Sequence, residues 1–224
     1  NSLSKIDEYL KEFDVKNIGI IIDKTLEDLG LMKKISNYLI NYNYDIFTEI
    51  DPFPSISTFE KALKFAKKGN FELIIGIGGG SSIDVAKVAS VLANKVGNVQ
   101  DYIFDDSFKD NPLKKIKREI NKPGLPFVAI PTTAGTGSEV VMWSVVWDLI
   151  NKKKQSISHP YMFSKLVIID PVLTLTLPKK VLASAGIDSF CHAMEAYWST
   201  SSNHLTISHS IEALKLIFEN LEKS

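Results

Sequence analysis

The chain has 224 residues, with 26 Lys+Arg against 26 Asp+Glu and a formal net charge of +0. Hydrophobic residues at 45% and charged residues at 23% are values of a globular protein, not of a disordered one. Zero net charge argues against nucleic acid or an anionic membrane as the main partner, and no apolar run reaches the roughly 20 residues that cross a bilayer.

In chain order, residues 5–13 carry Ile6, Leu10 and Phe13 on one face of a short helix. Residues 17–22, NIGIII, form a continuous apolar run of strand length closed by Asp23. Such a run suits a central strand of a parallel sheet, buried on both faces. Residues 31–42 have helical spacing, and 44–47 read as a second strand. The break at 51–55, DPFPS, precedes a helix that runs to about Lys68, with Ser57 as its cap. Residues 71–77, FELIIGI, are a third strand, and Gly78-Gly79-Gly80-Ser81-Ser82 leads into a helix over 83–94. Residues 98–122 carry Asp101, Asp105 and Asp106, then Lys114, Lys115, Lys117 and Arg118, and read as a solvated connection.

A further strand over 125–130 ends at PTTAGTGSE, residues 131–139. Residues 142–147 and 155–158 pair as a hairpin around residues 151–154, and 166–169 is a last strand. After Pro178 the pattern changes to helices alone, over 181–198 and 205–221. Alternating strands and helices followed by helices predict an α/β class: a parallel-sheet domain over 1–178 joined to the start of an all-α domain over 179–224. The single cysteine, Cys191, excludes an intramolecular disulfide and a multi-cysteine zinc site, and it reads as a small core residue. The polar, helical N-terminal stretch is no secretory leader, so a reducing cytoplasmic setting is expected.

The segment FELIIGIGGGSSIDVAK, residues 71–87, joins a buried strand to a helix through three glycines. Glycines let a ligand approach the backbone, and a helix start supplies N–H groups and a favourable dipole, which together suit a pyrophosphate. It is neither a Walker A loop nor the usual G-x-G-x-x-G. A tight turn without ligand is the alternative, and three consecutive glycines are entropically costly for that purpose alone. PTTAGTGSE offers hydroxyls and two glycines at the carboxyl end of another strand, facing the same crevice. Asp23 either accepts from a ribose diol, repelling a 2′-phosphate, or caps a helix. Asp188 and His192, four apart on one helical face, are either two ligands for zinc, iron or manganese or a surface acid beside a packed histidine. His159, His204 and His209 form no second pair of this kind.

GGGSSIDVAK, PTTAGTGSE, VIIDPVLTLTLP and AGIDSFCHAMEAY, in this order and spacing, resemble the iron-containing (group III) alcohol dehydrogenase family, over nearly the whole chain from about Lys16. The resemblance implies a dehydroquinate synthase-like fold, with cofactor and metal in the cleft between an α/β and a helical domain. It also implies interconversion of small alcohols with aldehydes or ketones by NAD(H) or NADP(H). By position it implies that Gly79, Gly80 and Ser81 meet the pyrophosphate, that Thr132, Thr133 and Thr136 line the nucleotide cleft, and that Lys154 contacts the cofactor. Asp23 then favours NAD over NADP, and Asp188 and His192 become the first two of four ligands to Fe or Zn.

Phe53 departs from the asparagine frequent at its position. Two further ligand histidines are expected after Ser224, which makes a catalytically incomplete NAD-binding fragment the alternative reading; a glycerol dehydrogenase relative is another. Residues 142–148, MWSVVWD, resemble the branch associated with phosphonate metabolism, which implies a phosphonoacetaldehyde-type substrate. Lys152 and Lys153 are then either anion contacts or a solvated turn. A homo-oligomer is the family's usual assembly.

Overall fold

A computed structural model describes residues 2–104 and 117–223. The chain folds into two compact units, Asn1–Thr132 with Ser138–Pro171, and Thr133–Gly137 with Val172–Ser224.

The first unit is built on five parallel strands: β1 (Asn17–Ile22), β2 (Asn43–Phe47), β3 (Leu73–Gly78), β4 (Phe127–Pro131) and β7 (Leu166–Val167). Their order is β2-β1-β3-β4-β7. Succession reverses between β1 and β3, the point at which open parallel sheets bind ligands beyond the carboxyl ends of their strands. Both faces of the central strands are covered, so Ile18, Ile20–Ile22 and Leu73–Ile75 are fully buried, as the unbroken apolar runs require. The short helix α1 (Ile6–Leu10) buries Ile6 and Leu10. Helices α2 (Lys24–Asp28) and α3 (Leu31–Ser36) fill the β1–β2 crossover. The helical spacing over 31–42 is realised only as far as Ser36, after which turns deliver the chain to β2.

Helix α4 (Ile56–Lys68) packs Phe59, Ala62, Leu63 and Ala66 into the core. Burying Phe59 and Leu63 stabilises the unit by about 1.5–3 kcal/mol each. Its N-cap is Ser55, in extended backbone, and not Ser57, which lies inside the helix. Helix α5 (Gly80–Leu92) begins three residues earlier than its apolar pattern does, and every residue from Ser82 to Leu92 is buried. The antiparallel hairpin β5 (Trp143–Asp148) and β6 (Lys153–Ser158) lies against it, so that Lys153 and Lys154 are strand residues rather than turn residues.

The connection over 98–122 is not uniformly solvated. Val99, Asp101, Tyr102, Ile103 and Ile120 are buried, and Asp101 pairs with Lys117 at 2.8 Å and Arg118 at 3.2 Å. Asp105, Asp106, Lys114 and Lys115 lie outside the described residues.

The second unit is a helical pair, α6 (Lys179–Trp198) and α7 (His204–Asn220). Phe190 and Phe218 meet edge to face at 5.6 Å. Asn203 caps α7, its side chain accepting from the Thr206 amide at 3.0 Å. Cys191 is exposed and no core residue, because it stands on a side of α6 that no described residue covers. Among the described residues no helix is long and apolar enough to cross a membrane.

Candidate functional site

The carboxyl ends of β1, β3 and β4 converge on one edge of the sheet, since Ile22 pairs with Ile77 and Gly78 with Pro131. Beyond them stand Asp23, Gly78-Gly79 and Thr132. Gly78 has φ +141, and a Cβ there would lie 2.6 Å from Ser82 Oγ, 2.8 Å from Ser82 Cβ and 3.3 Å from Asp23 Oδ2. Only glycine turns the chain sharply enough here to start α5 at once. Gly79 is the N-cap of α5 in extended backbone and has no side chain to cap it. The first amides of a helix have no intrahelical partner, so the Gly80–Ser82 turn presents donors and the positive end of the dipole to a ligand.

Asp23 caps α2, its Oδ1 accepting from the Leu26 amide at 3.0 Å. Its helix-cap role is therefore real, and its other oxygen lies toward Gly78. Thr132 is buried and its amide donates to Gly78 O at 3.0 Å, tying the end of β4 to the glycine turn. Ser81 Oγ donates to Pro52 O at 2.8 Å, which seats residues 52–55 beside the helix start. From there the Phe53 ring meets the Trp147 ring edge-on at 5.0 Å, the Trp147 amide donates to Pro54 O at 2.9 Å, and Lys154 Nζ stands 4.9 Å over the Trp147 ring. The first unit thus sets Asp23, Gly79, Gly80, Ser81 and Thr132 at the ends of β1, β3 and β4, and links Lys154 to Ser81 through Trp147 and residues 52–54.

Thr133 and Thr136 fall in the stretch grouped with the helical unit. In that unit Asp188 Oδ1 and His192 Nε2 are 3.8 Å apart and about half exposed. His192 Nδ1 is 3.3 Å from Gly135 O, and Ser189 Oγ donates to Ala134 O at 3.5 Å. A Cβ at Gly135 would lie 2.6 Å from Ala185 O, so glycine is what lets this stretch reach α6. A proton on His192 Nδ1, donated to Gly135 O, leaves the Nε2 lone pair free on the Asp188 side. That is the orientation a metal-ligating histidine takes from its second partner. The pair fits a divalent metal by donor type and spacing. Among the described residues no group of three or more His, Cys, Asp or Glu is arranged to hold a metal, so the pair is part of a ligand set at most.

Sequence reasoning missed a buried polar cluster on α5. Lys87, with 0% of its side chain exposed, donates to Trp143 O at 2.5 Å, Ser138 Oγ at 3.1 Å and Asp84 Oδ1 at 3.3 Å. Ser138 Oγ also donates to Asp84 Oδ1, and the Val145 amide donates to Asp84 Oδ2 at 2.8 Å. Burial pushes the Lys87 ammonium pKa down, and the Asp84 carboxylate pulls it partly back. The signal was present: a helix reading GSSIDVAKVASVL has no polar face, so any charge in it is buried and must be paired.

The family model described as "Iron-containing alcohol dehydrogenase" matches residues 1–171, and "Fe-containing alcohol dehydrogenase family, C-terminal" matches residues 182–224. The chain belongs to the iron-containing alcohol dehydrogenase family. It is 36% identical over its full length to a long-chain-alcohol dehydrogenase of Geobacillus thermodenitrificans, of which it spans 54%. It is 33% identical over 94% of its length to a sulfoacetaldehyde reductase of Bilophila wadsworthia, of which it spans 53%. A sulfoacetaldehyde reductase from Bifidobacterium kashiwanohense, solved in complex with NAD+, superposes with a TM-score of 0.86 at 27% identity, over 99% of this chain and 56% of that one. The chain therefore spans about half the length of these relatives, and it has the α/β, dehydroquinate synthase-like fold of the family's solved members.

Proposed function

We propose that this chain carries the dinucleotide-binding part, and two of the metal ligands, of an NAD(H)-linked alcohol dehydrogenase or aldehyde reductase acting on small substrates. The observation that carries the reading is the uncapped glycine turn of α5 at the sheet's switch point, flanked by Asp23 and Thr132, in a chain of this family.

In this reading the first-turn amides of α5 and the Ser81 hydroxyl bind the cofactor pyrophosphate, with Gly79 and Gly80 permitting the approach. Asp23 accepts from the adenosine ribose diol and repels a 2′-phosphate, which favours NAD over NADP. Lys154, held over Trp147, adds a cation beside the phosphates. Thr132, Thr133 and Thr136 line the nucleotide site, and residues 1–178 serve as the nucleotide domain with 179–224 opening the helical one. Asp188 and His192 would hold iron or zinc, His192 through the nitrogen not engaged with Gly135. When bound, the metal polarises a carbonyl oxygen and the nicotinamide supplies hydride.

The substrate reading is a small aldehyde bearing an anionic group. Phosphonoacetaldehyde is suggested by residues 142–148, and relatives named as sulfoacetaldehyde reductases support the same class. The protein works as a homo-oligomer in the cytoplasm. A second reading, NAD(H) binding without turnover by this stretch of chain, is favoured by the two-ligand, half-exposed character of the metal pair.

The test is aldehyde-dependent oxidation of NADH, with metal content measured on the same samples, comparing plain aliphatic, sulfonate- and phosphonate-bearing aldehydes. Turnover with near-stoichiometric metal, and preference for the anionic aldehydes, supports the first reading. NADH binding without turnover or metal supports the second. Equal rates on plain aldehydes sink the substrate class.

A further inference from the structure

Resting on the dinucleotide reading above, we propose that Lys87 is a positioning residue for cofactor binding. Its buried ammonium fixes the β5–β6 hairpin, and with it Lys154, against the helix whose first turn is the glycine cradle.

A lysine buried in an otherwise apolar and small-residue helix is costly unless all of its donors are used. Lys87 uses its three, on the Trp143 carbonyl, the Ser138 hydroxyl and the Asp84 carboxylate. Asp84 in turn receives the Val145 amide, and its backbone carbonyl accepts from Ser144 Oγ at 3.2 Å. The Trp143 carbonyl, the Ser144 hydroxyl and the Val145 amide of β5 are thereby fastened to one turn of α5. A pair of apolar residues would fill the same volume without selecting a register, and a slip of one residue would turn every hairpin side chain to the opposite face. Buried ion pairs are weak stabilisers, and fixing a register is their best-attested use.

The register is then carried along the hairpin. Trp143 pairs with Ser158 at its base and Trp147 with Lys154 near its tip. At the tip Trp147 meets residues 53–54, which Ser81 holds through Pro52. The cradle helix thus grips the hairpin directly at the base through Asp84 and Lys87, and indirectly at the tip through Ser81. Lys154 is fixed by both holds. Lys87 itself is buried beneath the hairpin, and besides Trp143 it holds Ser138 and Asp84.

The experiment is a double-mutant cycle on the chain, read by NADH fluorescence titration, with circular-dichroism melts of each variant. Lys154→Ala is measured alone and in the Lys87→Met background. Lys87→Met is expected to melt cooperatively, to weaken NADH binding tenfold or more, and to reduce the effect of Lys154→Ala to less than twofold. A lysine of merely structural value lowers the melting temperature and leaves the Lys154→Ala factor equal in both backgrounds, which overturns the proposal. If Lys87→Met does not fold, the same cycle is read with Ser138→Ala, which removes one hydroxyl from the cluster. It is expected to weaken NADH about threefold and to shrink the Lys154→Ala factor; unchanged values overturn the proposal. Failure of the unaltered chain to bind NADH overturns the dinucleotide reading; a chain that binds NADH but is unaffected by Lys154→Ala keeps that reading and overturns the role of Lys87.

Discussion

Replacing Gly78 with alanine tests the cradle at its tightest point. At φ +141 an alanine adopts a conformation that L-residues avoid, at a cost of about 1–3 kcal/mol. Its methyl would also stand 2.6 Å from Ser82 Oγ and 2.8 Å from Ser82 Cβ, and Ser82 is only 2% exposed, so it has little room to yield. Overpacking of this kind adds about 1–3 kcal/mol, giving a total destabilisation of about 2–6 kcal/mol. Urea unfolding followed by circular dichroism measures it, and NADH titration on the folded protein measures the loss of the cradle. The double variant Gly78→Ala/Ser82→Gly removes the overlap and keeps the backbone cost. It is therefore expected to recover roughly half of the loss, less about 0.5–1 kcal/mol for glycine in a helix. A single variant that loses under about 1 kcal/mol and binds NADH unchanged refutes the geometry on which the cradle rests.

Asp23→Ser keeps a side-chain cap on α2 while removing the carboxylate, so the NADPH to NADH affinity ratio is expected to rise about tenfold with little loss of stability; an unchanged ratio places the ribose elsewhere. His192→Ala is expected to lower bound iron or zinc, measured by elemental analysis, without weakening NADH binding; unchanged metal content removes the pair from the ligand set. Asp101 is held below the usual carboxylate range by hydrogen bonds from the Lys117 ammonium, the Asn98 amide and Arg118. A lowered folded-state pKa contributes stability above the unfolded value, and that contribution is lost as pH falls through the folded one. The stability advantage of the unaltered chain over Asp101→Asn is therefore expected at neutral pH and should shrink below about pH 4; an advantage that persists into acid contradicts the pairing.

Much of the first unit was legible because its strands are buried on both faces and leave an unmistakable mark. NIGIII is β1 from end to end, and the glycine run is the strand-to-helix turn its composition predicts, with Gly78 at φ +141. Propensity misled where tertiary contacts overrode it. Gly80 and Ser81 are poor helix formers, yet α5 starts on them because the backbone turns at Gly78 and the helix packs against the sheet. Ser57 looked like a cap by type, whereas Ser55 has the extended backbone that an N-cap requires. Spacing alone gives no sign of the Asp84–Lys87 cluster, since charges three apart on a helix usually mark a solvated face. Only the absence of any other charged residue around that helix reveals that they are enclosed. Cys191 was misjudged for the converse reason: a small apolar residue on α6 lies on a side left uncovered among the described residues.

The central claim is that a dinucleotide binds on the first turn of α5. Hydrogen–deuterium exchange of the peptide spanning residues 78–83, with and without NADH, tests it most directly. The account predicts that NADH slows exchange of the Gly79–Ser82 amides severalfold, and that excess ADP, which shares the pyrophosphate, reproduces the protection. NADH binding that leaves those amides unprotected while slowing exchange elsewhere would contradict it.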